Sequence, residues 1–217
     1  MPYEHHMALR FCKEVCKDFG IPRDNVASLG DESDLFHGGK WPKGADYPHT
    51  PTQEIEEARK KIRIWGAAFP EMKICDSNHM TRWHRKAFDA EIPSQIIRGL
   101  QEVYEYPEGW TFADHHVIDA GKSKFRLQHG EGFTGPGGAR AAAIDNGMST
   151  VIGHLHSHAG VQWIKTAGQE IFGVNSGCLI DPQAYAFRYG DKSRNKPCLG
   201  VTVVLDGGRF PIWIPLR

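Results

Sequence analysis

Ser149-Thr150-Val151-Ile152-Gly153-His154-Leu155-His156-Ser157-His158 is the stretch on which the reading of the fold turns. Its first four residues are small, β-branched or apolar, which suits a short buried strand. A glycine ends the run, and histidines follow at every second position. Working outward, the same pattern of a short apolar run closed by polar residues recurs. Asn25 to Leu29 closes on Gly30-Asp31, Met72 to Cys75 on Asp76-Ser77-Asn78-His79, and a strand over 123–128 on His129-Gly130. In α/β sheets, sites gather beyond the carboxyl ends of the strands. Imidazole, carboxylate and amide oxygen are donors that Mn, Fe or Zn accept. Singly, a strand-end aspartate is ordinarily a turn former and a histidine is packed or solvated. Together, Asp31, Asn78, His79, His129, His154 and His156 form a candidate ligand set.

The remaining elements fit one α/β domain over residues 1–217. Ala8, Phe11, Val15 and Phe19 space a helix over 4–19, ended by Gly20 and Pro22. Thr50-Pro51-Thr52-Gln53 is a capping box with proline at the first helical position, and Ile55, Ala58, Ile62, Trp65 and Phe69 mark one apolar face up to Pro70. Residues 37–49 read as a loop, and 81–105 as two short helices broken near Pro93. Strands are expected at 111–118 and 123–128. A glycine-rich loop from Gly130 to Gly138 then leads into a helix over Ala139 to Ile144. Strands at 161–165, 170–175, 184–189, 199–205 and 209–215 follow, with Asp206-Gly207-Gly208 turning the last hairpin.

Composition narrows the function classes only slightly. Lysine plus arginine equals aspartate plus glutamate, 26 each, so net charge points to neither a nucleic-acid nor a membrane partner. Five cysteines without CxxC spacing argue against a disulfide framework and a structural zinc site. No apolar run approaches the roughly 20 residues that span a bilayer, and the N-terminal residues, with no basic region followed by an apolar stretch, do not lead us to expect a signal peptide. A reduced, cytoplasmic protein is the expectation. Twelve histidines are many for 217 residues, and their positions carry the argument.

Taken in order, Gly30-Asp31-Glu32-Ser33-Asp34, Ser77-Asn78-His79, His129-Gly130 and Gly153-His154-Leu155-His156 resemble the ordered signature of calcineurin-like metallophosphoesterases, G-D-x-x-D, G-N-H-D/E, H and G-H-x-H. The resemblance runs from Tyr3 to about Asp181 and is nearest to phage- and prophage-type members. It implies a layered α-β-β-α sandwich with its first strand missing. It also implies divalent metal ions, manganese foremost, with Fe, Zn or Ni as alternatives; the family holds two and this chain one or two. By the same resemblance Asp31 bridges the two ions, Asn78, His129 and His154 complete the second site, and His156 belongs to the first. His79 then sits by the substrate as general acid or hydrogen-bond donor. Arg82, three residues on, either meets a phosphate oxygen or is a surface arginine. The implied activity is hydrolysis of a phosphate ester, with phosphodiesters or nucleic-acid-derived substrates preferred. The alternative is a degenerate, non-catalytic binding or scaffold protein.

Three departures from the signature matter. No D-x-H motif precedes Tyr3, which leaves three readings open: a piece of a longer protein, a single-metal protein, or a degenerate member. The missing first strand also predicts an exposed edge or a gap in the sheet, which either is filled by another segment or chain or leaves the protein poorly stable. Ser77 stands where the pattern has glycine, and Met80 where it has an acid that would orient the imidazole. His158, His115, His116, His37, His49 and His84 read as exposed or structural, and Gly130 to Gly138 lacks the Gly-Lys-Ser/Thr ending of a Walker loop. Arg82, Arg85 and Lys86 around Trp83 read either as a solvated helix face or as a grip on a nucleic-acid backbone.

Overall fold

Tyr104, Phe69, Ile62 and Ile74 are among the largest side chains fully removed from water, and they belong to the first of two compact units. A computed structural model describes residues 3–39, 49–184 and 194–217. The units are Met1–Phe112 with Asp181–Lys192, and Ala113–Ile180 with Ser193–Arg217. The mixed α/β class expected from the sequence is what the chain forms.

The first unit carries helices α1 (Ala8–Asp18), α2 (Pro51–Ala68), α3 (Arg82–Asp89) and α4 (Leu100–Tyr104), with strands β1 (Val26–Ser28), β2 (Met72–Cys75) and β3 (Trp110–Ala113). The strands form one sheet in the order β1-β2-β3. β1 runs parallel to β2, with Val26 opposite Met72 and Ser28 opposite Ile74. α2 starts where the sequence says it should. The Thr50 hydroxyl accepts from the Gln53 N–H and the Gln53 side chain accepts from the Thr50 N–H, satisfying two of the donors a helix start leaves orphaned. Its expected stripe is buried at Ala58, Ile62 and Trp65, and each fully buried large side chain is worth about 1.5–3 kcal/mol. The Trp110 indole donates to the Phe69 carbonyl at 2.9 Å, and the Asp181 N–H donates to the Tyr3 carbonyl at 2.8 Å. α1 begins at Ala8 rather than residue 4, because the backbone turns between His5 and Met7 before helical bonding sets in.

The second unit carries β4 (His115–Asp119), β5 (Lys124–Gln128), α5 (Gly138–Asp145), β6 (Thr150–Ile152), β7 (Gly160–Lys165), β8 (Glu170–Asn175), β9 (Gly200–Leu205) and β10 (Phe210–Pro215). Five strands form a sheet in the order β4-β5-β6-β8-β7, and β9 and β10 pair as an antiparallel hairpin. β5, β6 and β8 are mutually parallel, with Gln128 opposite Ile152 and Ile152 opposite Asn175. α5 packs its alanines on Ile152, Ile164 and Ile171. The approach is close because Gly173 has no side chain; a Cβ there would lie 2.2 Å from the Ala139 carbonyl oxygen.

One further expectation needs correcting. The single strand expected over 111–118 is two strands, β3 and β4, which join different sheets on either side of Asp114. The 3-10 turn Ser94–Ile96 lies between the two short helices expected within 81–105. The strand expected at 184–189 lies outside the described residues except for Ala184. None of the five cysteines is in a disulfide. Among the described residues, no helix is long and apolar enough to cross a membrane.

Candidate functional site

The predicted site residues divide between the two units, and each group follows directly on parallel strands. In the first unit, β1 and β2 end together, so Gly30-Asp31 and Ser77-Asn78-His79 leave at the same end of adjacent strands. Gly30 has φ 101° and Asp31 φ 64°, a left-handed pair that turns the chain sharply. Left-handed backbone in a non-glycine residue is sparsely populated, and strain of this kind concentrates at functional sites. The Asp31 N–H donates to the Ser77 hydroxyl at 3.0 Å, so the serine that replaces the pattern's glycine anchors the turn.

His79 lies against two carboxylates. Its Nδ1 is 2.8 Å from Asp34 Oδ1 and 3.8 Å from Asp31 Oδ2. An ionised carboxylate only accepts, so Nδ1 carries the proton and Nε2 is the free ring position. Arg82 Nη1 donates to the Asp34 backbone carbonyl at 2.6 Å and lies 3.5 Å from Asp34 Oδ1. Asp34 thus supplies the acid that the pattern places next to His79. Met80, which occupies that position here, is buried. Arg82 is neither a free surface cation nor idle: it holds Asp34 in place.

Two further side chains fix this segment, and neither stood out in the sequence. Ser33 donates to the Tyr104 hydroxyl at 2.7 Å, and buried Glu54 of α2 accepts the Phe36 N–H at 2.7 Å. Burial pushes the Glu54 carboxyl above its usual range, while the Phe36 N–H pulls against it and the nearby Asp34 charge adds to the rise. A glutamate in a well-formed helix gives no periodicity signal that it is a clamp.

In the second unit, His129 follows β5 and the Gly153 to His158 loop follows β6. The Gly153 N–H donates to the His129 carbonyl at 3.0 Å, joining the two ends. His154 has φ 61°, the counterpart of Asp31. The loop is pinned from below by the Asn175 amide on the Leu155 carbonyl at 3.2 Å, and by the Cys198 N–H on the His156 carbonyl at 2.7 Å. Buried His129 brings Nε2 to 3.1 Å from His154 Nδ1, with the rings edge to face. His158 turns its Nδ1 to the Ser157 hydroxyl at 3.1 Å.

Three solved structures resemble this backbone. An archaeal phosphodiesterase matches at 14% identity over 96% of this chain and 92% of its own, with TM-score 0.43. A single mutant of Vps29 from Entamoeba histolytica matches at 11% identity over 73% and 77%, with TM-score 0.34. Vacuolar Protein Sorting 29 from Cryptosporidium parvum matches at 15% identity over 73% and 76%, with TM-score 0.34. No protein-family model and no curated protein matches the chain.

The fit of a metal ion is mixed. Neighbouring ligands at about 2.0–2.1 Å from one ion lie roughly 3 Å from each other, which the His129–His154 nitrogen pair satisfies. Among the described residues, however, no three histidine, cysteine or acidic side chains converge within one such group. The geometry supports a two-imidazole clamp and goes no further.

Proposed function

We propose that the chain is a divalent-metal-dependent phosphoesterase of the calcineurin-like type, nearest to phage-type members and cytoplasmic. It acts on phosphodiesters or nucleic-acid-derived esters. What supports the reading is that Asp31, Asn78, His129, His154 and His156 all lie in the segments that leave parallel strands at their carboxyl ends, in the order the resemblance gives. The proposal makes 1–217 one domain, with manganese as the metal. A bound divalent ion activates water and polarises phosphoryl oxygens. The chain's own contribution is proton management. With Nδ1 held by Asp34, a protonated His79 hands its Nε2 proton to the departing oxygen, and Arg82 keeps the carboxylate in register.

Elemental mass spectrometry after manganese loading tests this, with turnover of bis(4-nitrophenyl) phosphate as the second readout. The proposal expects one or two ions per chain and measurable hydrolysis, both lost in His129→Ala. A folded wild type that retains no ion and turns nothing over would overturn it. That outcome would favour the second reading, a non-catalytic binding or scaffold protein.

A further inference from the structure

We infer that α3 is a platform for single-stranded nucleic acid, holding it beside His79; this rests on the phosphoesterase reading above and names its substrate class. No residue of α3 is fully buried. Phe88 is 81% exposed and Trp83 38%, an unusual exposure for aromatic residues on so short a helix. At 3.6 residues per turn, Arg85 and Lys86 fall on the outward arc between Phe88 on one flank and Trp83 on the other. His84 and Ala87, both half-buried, face inward. Lys86 Nζ lies over the Trp83 ring, 5.7 Å from its centroid. Trp83 leans on Gly38, where a Cβ would come within 3.5 Å of the indole.

Aromatic faces alternating with cations are what a single strand needs. Each base offers a π-face to stack, and each linkage a phosphate for Lys or Arg. Asp89, at the end of the helix, is the one acid on this arc. A purely apolar protein partner would use Phe88 with exposed Ile92 and Ile96, and would have no use for Arg85 and Lys86 beside an indole. The helix is also tied to the candidate site. The Arg82 N–H donates to the His79 carbonyl at 3.1 Å, and Arg85 Nη2 to the Asn78 carbonyl at 2.7 Å. A strand stacked along α3 therefore runs alongside the segment that carries Asn78 and His79.

Fluorescence anisotropy of a labelled oligothymidylate, with metal-free protein in EDTA, reads this without any chemistry. Binding is expected, weakening as salt rises from about 50 to 200 mM. Trp83→Ala and Phe88→Ala are each expected to lower affinity roughly 5- to 150-fold, and the Arg85→Gln, Lys86→Gln pair to flatten the salt dependence. Melting curves of the variants should match the wild type, since these side chains are exposed. No binding by the wild type, or variants that bind as it does, would overturn the inference. Self-association abolished by Phe88→Ala, with no oligonucleotide binding, would make the face a contact between copies and also overturn it. Hydrolysis of bis(4-nitrophenyl) phosphate separates the two proposals. Turnover without oligonucleotide binding sinks this inference alone. Oligonucleotide binding without metal uptake or turnover sinks the phosphoesterase reading and leaves the platform standing.

Discussion

Asp34 and Glu54 hold opposite ends of one short segment, and they make different predictions. Asp34→Asn keeps the size of the side chain but removes the charge that fixes the His79 tautomer. Phosphodiester turnover should fall about 10–100-fold, the usual cost of losing an orienting partner. His79→Ala should cost about 10²–10⁴-fold, and combining the two should add little, because both act through one imidazole. Equal activity of Asp34→Asn and wild type would remove Asp34 from the mechanism. Glu54 concerns stability. Its carboxyl is raised by burial, so the folded chain holds that proton more tightly than the unfolded one. The associated stability is complete below the ordinary carboxyl range and is lost as pH rises through the raised value. Glu54→Gln keeps an acceptor for the Phe36 N–H without the buried charge. It should melt with the wild type near pH 4 and roughly 2–4 °C above it at pH 8, the size of about 1 kcal/mol in a chain of this length. At this scale the sequence displayed the donors but not their partners. The pairing of Asp34 with His79 depends on the path of residues 31–39, which Glu54, Arg82 and Tyr104 set through contacts 18 to 71 residues away in the chain.

Elements were more legible than contacts, for local reasons. The capping box of α2 and the strand-to-loop transitions at Gly30, Gly130 and Gly153 are written in consecutive residues. The break at Asp114 is not, because Trp110 to Ile118 carries strand-forming side chains on both sides of it. Which sheet each half joins is a tertiary decision. The seating of α5 on β8 is likewise invisible in a pattern, and it supplies a sharp test. In Gly173→Ala the new methyl carbon would lie 2.5 Å from the Ala139 carbonyl carbon and 2.8 Å from the Arg140 nitrogen, all backbone. A loss of about 1–3 kcal/mol is expected, seen as a lowered chemical-denaturation midpoint. Gly168→Ala, with nothing within 4 Å, is the control and should leave the midpoint unchanged. Equal midpoints for both variants would mean that α5 is not seated as described.

At the scale of the whole molecule, the proposal of one domain expects one cooperative transition in scanning calorimetry. Two resolved transitions would divide the chain near Phe112 and argue against a single domain. Interleaving favours the single transition: the first unit reclaims Asp181–Lys192 after the chain has built most of the second. That interleaving also has a consequence on the ribosome. The Tyr3 carbonyl finds its donor only when Asp181 is synthesised, roughly 10–35 s after Tyr3 at ~5–20 residues per second. Throughout that interval the nascent first unit lacks the segment that meets Tyr3. Translation speed across residues 113–180 therefore sets how long the first unit waits for its last segment.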